Sequence, residues 1–242
     1  MSADIYIIRI EGDAYSEKVA SRCLSSCNDH MIGSFGVEYF QAITPKDYEI
    51  GSVERPYTYP ITGSKHISIN GHSLTLNAYR AADYRKVWAA SMSHLRLWET
   101  CFDINKPILI LEHDTVFMHK FNFASIQEKL VDGDIVMIND PRGCTRRGQK
   151  YHENIISKGF GIHDIDGVNE PNENDPDGLA GGSAYIITPK AARRAIDLVS
   201  VHGIWPNDAL LCKQLFQGNG TRLRSFYPYL TKPLQAQSTT TG

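Results

Sequence analysis

The chain has 242 residues, 42% of them hydrophobic and 21% charged, with a formal net charge of −2. This is an ordinary globular composition, long enough to bury a sizeable core without staples. Near-neutral charge excludes a global basic field that would attract nucleic acid or a membrane, leaving only a local patch for such a role.

The five cysteines are Cys23, Cys27, Cys101, Cys144 and Cys212, an odd number with no C-x-x-C spacing. A disulfide framework or a cysteine zinc site does not fit that pattern, whereas a reducing cytoplasm does. The opening MSADIYIIRIEGD has no basic region before its short apolar stretch and reads as a first strand, not a signal peptide. No apolar run approaches the length of about 18 residues that a membrane span needs.

In chain order, Ile5–Ile8, Ile108–Leu111, Ile135–Ile138 and Ala184–Ile187 are unbroken apolar runs. Runs, rather than alternation, mark strands covered on both faces. Between them lie helical patterns. Ser16–Asn28 places Val19, Ala20, Cys23, Leu24 and Cys27 on one face. Tyr84–Phe102 does the same with Val87, Ser91, His94, Leu95, Trp98 and Phe102. Thr188-Pro189 has the chemistry of a helix start, and Pro206–Gln217 reads as a last helix stopped by Gly218. Strands alternating with helices predict a single α/β domain with a mostly parallel sheet. The stretch Asn139–Gly182 is polar and aperiodic, and is expected to be a long loop. Arg142, Arg146, Arg147 and Lys150 lead it and acidic residues follow, which fits either a solvated surface or a mobile lid.

The most informative segment is ILILEHDTVF, residues 108–117. Strand alternation sends Glu112 and Asp114 to one side and His113 to the other. Paired carboxylates at the carboxyl end of a buried strand stand where open α/β sheets bind ligands. They suit a hard divalent cation that neutralises a diphosphate. The competing reading is an ordinary polar strand end at which Asp114 starts a turn.

The sequence VWAASMSHLRLWETCFDINKPILILEHDTVF (87–117) resembles glycosyltransferase family 25, the lipopolysaccharide and collagen galactosyltransferase-like group. There a helix with Ser-His and an aromatic residue precedes a strand ending Glu-Asp-Asp. Here Ser93-His94, Trp98 and Glu112-His113-Asp114 take those places. IYIIRI, VEYFQAITP (37–45), GLAGGSAYIITPKAARRAI (178–196) and WPNDALL (205–211) resemble further family segments in the same order. The departure is His113, where the family has Asp, which leaves the metal identity open.

The resemblance implies a GT-A-like (Rossmann-like) mixed sheet flanked by helices. It also implies a nucleotide-diphosphate sugar donor, with UDP-sugar the family-level choice, a Mn²⁺ or Mg²⁺ ion, and inversion at the anomeric carbon. Residues 1–117 would hold the nucleotide and 118–242 the acceptor. Asp114 and Glu112 carry over as metal ligands. Arg9, Ala42, Thr44, Ser93, His94, Glu112 and His113 carry over to the donor site. Asp208, in the family's Pro-x-Asp position and in a helix's first turn, is the expected base; its other reading is helix capping with Asn207. Asp177, Gly181, Gly182 and Trp205 are the expected acceptor residues, with Asp177 the reserve base. His202 is a further candidate metal ligand.

The expected acceptor is a glycan or lipopolysaccharide. A short, anchor-free form also resembles versions carried by bacteriophages, for which the acceptor would be a hydroxymethylated base in DNA, met by the basic cluster. A third reading is a sugar- or nucleotide-binding module that has lost activity. The sugar, the linkage and the oligomeric state are not legible.

Overall fold

A computed structural model describes residues 4–49, 64–69, 72–77, 83–142, 147–168, 174–178 and 182–234. Strand β1 (Ile5–Arg9) leads into helix α1 (Ala14–His30), β2 (Val37–Gln41) and the short α2 (Pro45–Glu49). The hairpin strands β3 (Ser64–Ile69) and β4 (His72–Asn77) precede the long α3 (Tyr84–Ile104) and β5 (Ile108–Glu112). Then come β6 (Thr115–Phe117), α4 (Phe123–Gln127), β7 (Asp134–Met137), α5 (Gly148–Ile156) and β8 (Gly161–Asp164). The chain closes with β9 (Ala184–Ile187), α6 (Pro189–His202), α7 (Asn207–Leu210), α8 (Lys213–Phe216), β10 (Arg222–Tyr227) and β11 (Thr231–Pro233).

The central sheet has seven strands in the order β2-β1-β5-β9-β7-β10-β8. The four apolar runs of the sequence are β1, β5, β7 and β9, with their side chains buried. Because alternate residues face opposite layers, each strand feeds two cores. Ile108 and Ile110 join Leu95, Trp98 and Ala192 on the α3/α6 face. Leu109 and Leu111 join Ala20, Cys23 and Cys27 on the α1 face. Burial drives the Cys23 thiol up, with the Cys27 and Asp114 charges adding to it, so both α1 cysteines pack as small apolar groups.

The expectation of a mostly parallel sheet needs correction. β2, β1 and β5 are parallel, and so are β7 and β10, but β9 runs antiparallel between β5 and β7. The edge strand β8 is antiparallel to β10. The sheet is therefore mixed and the fold Rossmann-like.

The second correction concerns 139–182. Its described part contains α5 and β8, so it is not a structureless loop. The third concerns Pro206–Gln217, which is two four-residue helical turns rather than one helix. Cys212 is extended there because it bridges Gly178, while the Lys213 N–H donates to the Asp177 carbonyl at 2.8 Å. Pro189 starts α6 as expected, yet the Thr188 hydroxyl does not cap it: it accepts from Gly133 N–H and donates to the Asp134 carbonyl.

Candidate active site

The carboxyl ends of β1, β2, β5, β7 and β10 share one edge of the sheet, and β9 enters from that edge. Polar side chains collect there, at and just past the strand ends. Arg9, Ala42, Glu112-His113-Asp114, Ser183 and Asn139-Asp140 all lie along this edge.

Glu112 is the last residue of β5 and faces α3. The buried His94 of α3 places Nε2 3.2 Å from Glu112 Oε1 and Nδ1 2.8 Å from the Tyr185 hydroxyl. The Trp98 indole N–H donates to that same hydroxyl at 2.8 Å. Indole is a donor only, so the Tyr185 oxygen accepts from Trp98. Its own proton then points to His94 Nδ1, and His94 carries its proton on Nε2 and donates to Glu112. Each group is satisfied in one direction along Trp98–Tyr185–His94–Glu112. Burial works to raise the Glu112 pKa, but the hydrogen bond from His94 and the electrostatic influence of the neighbouring His94 and His113 rings outweigh it and hold the carboxyl below its ordinary value. Glu112 is an oriented carboxylate.

The strand ends at Glu112, and His113-Asp114 form a turn, so strand alternation does not reach Asp114. His113 turns to the α1 face, where its Nδ1 lies 2.8 Å from the Ser16 hydroxyl. Asp114 sits in the turn with Oδ1 buried and without a hydrogen-bond partner among the described residues. Burial, then the Glu112 charge, pushes its pKa up to about 7. Ser183, across from Glu112 on the way into β9, is in the same condition: its hydroxyl is buried and unpartnered. Its carbonyl is held by Glu112 N–H and the Thr115 hydroxyl, both at 2.8 Å. Next to it, a Cβ added at Gly182 would meet open space, so ligand can approach the backbone there. Sequence reasoning missed Ser183; its one signal is a polar residue between a glycine pair and an apolar strand. Tyr185 is a fully buried member of the hydrogen-bonded chain, closed to any ligand.

The other predicted donor-side residues surround this centre. Arg9 ends β1 with its guanidinium 4.3 Å over the Tyr39 ring. Ala42 N–H donates to the Arg9 carbonyl at 2.8 Å. Ser93, one residue before His94, accepts from Ile43 N–H at 2.9 Å and so ties α3 to the end of β2. Thr44 starts α2, and both its N–H and its hydroxyl donate to Asp47 at 2.7 Å.

Of the residues expected on the acceptor side, Gly182 lies beside Ser183 at the Glu112 centre, while Trp205, Asp208 and Asp177 form a second group on the α3 face. Ser91, about one helical turn from His94, donates to the Trp205 carbonyl at 3.1 Å. Trp205 itself is buried, its indole N–H on the His202 carbonyl. Asp208 follows in α7, half-buried, and its charge reaches Tyr151 of α5. Four residues make too short a helix for its dipole to act strongly on Asp208. Asp177 accepts from Val168 N–H at 2.9 Å and is clamped by Gln214. Gly181 lies outside the described residues, as do Cys144 and Arg146. Gly178 connects the two halves of this group: a Cβ there would lie 1.7 Å from the Asp208 carbonyl oxygen. Gly178→Ala is expected to destabilise the fold by about 1–3 kcal/mol and to lower turnover by shifting Asp208; denaturant melts and kcat measure the two effects.

Two described members of the basic cluster are paired to acids. Arg142 is bound to Asp140 at 2.7 Å and Arg147 lies 3.5 Å from Asp175. His202 has its pKa lowered by burial and by the charges of Lys65 and Arg194. Among the described residues no cluster of three or more His, Cys, Asp and Glu side chains is arranged to hold a metal ion. Two carboxylates, one with a buried orphan oxygen, nevertheless fit a hard cation that takes its remaining ligands from a diphosphate and water.

The seven-stranded mixed sheet flanked by helices defines a Rossmann-like α/β protein, a fold that binds ligands outside the carboxyl ends of its strands. The profile of glycosyltransferase family 25 (LPS biosynthesis protein) matches residues 5–211, and the chain belongs to that family. It is a glycosyltransferase. No curated protein matches it at a significant level. Among the described residues no helix is long and apolar enough to cross a membrane.

Proposed function

We propose that the protein transfers a hexose from a nucleotide-diphosphate sugar, a UDP-sugar, to a hydroxyl of a glycan acceptor with inversion at the anomeric carbon. The observation that carries this reading is the pair at the end of β5: an oriented, ionised Glu112 beside Asp114, whose Oδ1 is buried with no partner among the described residues. A buried carboxylate oxygen without a donor is a standing cost of about 1–3 kcal/mol or more, and a cationic or hydrogen-bonding ligand removes it.

Asp114 and Glu112 would hold a Mn²⁺ or Mg²⁺ ion, which supplies neutralisation of the leaving diphosphate. The Trp98–Tyr185–His94 chain keeps Glu112 from swinging away, so no reorganisation is needed as charge builds on the donor. Arg9 and the end of β2 border the nucleotide side of the edge. Asp208 takes the proton from the acceptor hydroxyl. The acceptor oxygen then bonds to the anomeric carbon while the carbon–oxygen bond to the diphosphate breaks, and that electron pair leaves with the nucleotide. With Arg142 and Arg147 already paired to acids, a glycan acceptor fits better than DNA.

The test is thermal shift of the purified protein with UDP-glucose and UDP-galactose, each with and without Mn²⁺ or Mg²⁺. A metal-dependent rise with one donor is expected, growing with its concentration. A folded protein that responds to no nucleotide sugar would remove the reading.

A further inference from the structure

Further along the same edge stands a cluster that the donor site does not use. It lies where β7 and β10 end, and is made of Tyr227, Tyr229, His152 of α5, Phe160 and the Asp140–Arg142 pair. The Tyr227 and Tyr229 rings meet edge to face at 5.3 Å, and His152 lies 5.7 Å from the Tyr229 ring. Phe160 leans on Tyr227 at 5.8 Å and yet is 81% exposed, more than any other large hydrophobic side chain described.

Two polar atoms in this cluster are buried and have no hydrogen-bond partner among the described residues: Tyr229 Oη and His152 Nδ1. Tyr229 as a whole is 3% exposed. An exposed aromatic face beside orphaned hydrogen-bonding atoms is unfavourable for an empty surface on both counts. It is complementary to a ligand that is apolar on one face and rich in hydroxyls around its rim. A pyranose ring has that form: its axial C–H face packs on aromatic rings, and its hydroxyls both donate and accept.

The position matters as much as the chemistry. From β5 the order runs β9, β7, β10. At about 4.8 Å per strand, the cluster sits about 10–14 Å along the edge from Glu112, the span of a short oligosaccharide. Strand β11 joins the two places. The Thr231 carbonyl accepts from Asp140 N–H at 2.8 Å, and three residues later Leu234 N–H donates to the Asp114 carbonyl at 2.7 Å.

We propose that the Tyr227–Tyr229–His152–Phe160 cluster is a saccharide subsite that grips an acceptor ring one or two units from the hydroxyl that receives the sugar. The assignment rests on the glycan-acceptor reading above. Phe160 and Tyr227 supply the stacking face, and Tyr229 Oη and His152 Nδ1 meet ring hydroxyls.

The test is saturation-transfer difference NMR with lactose, maltose and N-acetyllactosamine on the donor-free protein, comparing wild type with Phe160→Ala and Tyr229→Phe. Phe160 is exposed, and the Tyr229 hydroxyl has no partner among the described residues to lose, so both variants should keep the wild-type melting temperature. Ring-proton saturation by at least one disaccharide is expected, with binding about tenfold weaker in each variant. Equal saturation in all three proteins, or none from any disaccharide in the wild type, overturns the subsite. The donor thermal shift is independent of these residues. A metal-dependent donor response with either negative result leaves the transferase reading standing, whereas saccharide binding without any donor response removes that reading and not the subsite.

Discussion

Replacing Asp114 by Asn should lower sugar transfer by about a thousandfold while leaving the protein more stable than wild type. The activity loss follows from its place beside Glu112, where removing a charge that balances a diphosphate costs several kcal/mol of transition-state stabilisation, or roughly 10²–10³ in rate. The gain in stability has the opposite origin. Oδ1 of Asp114 is buried without a partner among the described residues, and burial together with Glu112 raises its pKa from 3.8 to about 7. In metal-free buffer the folded protein therefore holds a proton that the unfolded chain gives up between about pH 4 and pH 7. Stability falls as the pH rises through that window and is flat above it. Asn carries no charge to bury, so the variant should melt a few degrees higher at pH 8, with the difference disappearing near pH 4. Melting curves in EDTA across pH, beside initial rates, measure both halves. Full activity in the variant would place the chemistry elsewhere.

His94→Ala carries the second large effect, this time on both stability and rate. The ring is buried and joins two groups that need it. Its loss opens a cavity between α3 and the sheet, leaves the Tyr185 O–H without an acceptor, and frees Glu112. Cavity and orphaned hydroxyl together should destabilise the protein by about 3–4 kcal/mol. Tyr185→Phe removes only the hydroxyl, stranding Trp98 N–H and His94 Nδ1 at about 1–3 kcal/mol. It leaves Glu112 its neighbour, so its kcat should fall less than in His94→Ala. If His94 acts through Glu112, then adding Glu112→Gln to His94→Ala should cost far less activity than Glu112→Gln does alone. Additive losses would show that His94 serves only the core. Denaturant melts and kcat of the four proteins decide between these outcomes.

Some of this molecule was plain in its sequence. An apolar run covered on both faces leaves little choice of structure, so β1, β5, β7 and β9 could be read directly, as could the amphipathic α1 and α3. Glu112, His94 and Trp98 were found together because the family pattern links them, and the structure joins them by hydrogen bonds. Other elements carry weaker signals in the sequence. Asn70-Gly71 between two alternating stretches marks the β3–β4 hairpin, and RLRSFY alternates as β10 does. The arginines of β10 disguised it. Arg222 and Arg224 both bind the buried carboxylate of Asp134, nearly ninety residues earlier, and only the folded sheet brings those groups together. Little in the local sequence of α5 announces it, since its buried side is only Gly148, Tyr151 and Ile155.

By itself, then, the sequence determined the layers, the family and the carboxylates at the end of β5, because burial pattern and residue chemistry are local properties. Tertiary structure alone decided the rest. An apolar strand carries no mark of its direction, so the antiparallel insertion of β9, which sets Ser183 beside Glu112, depends on its neighbours. The helix expected at 206–217 breaks because Cys212 and Lys213 pair with Gly178 and Asp177, more than thirty residues away. The strand alternation that pointed Asp114 and Glu112 the same way ends at Glu112, and the turn leaves one carboxylate satisfied and the other not. Whether a polar atom finds a partner is a property of the packed molecule, and here it separates Asp114 and Ser183 from Glu112.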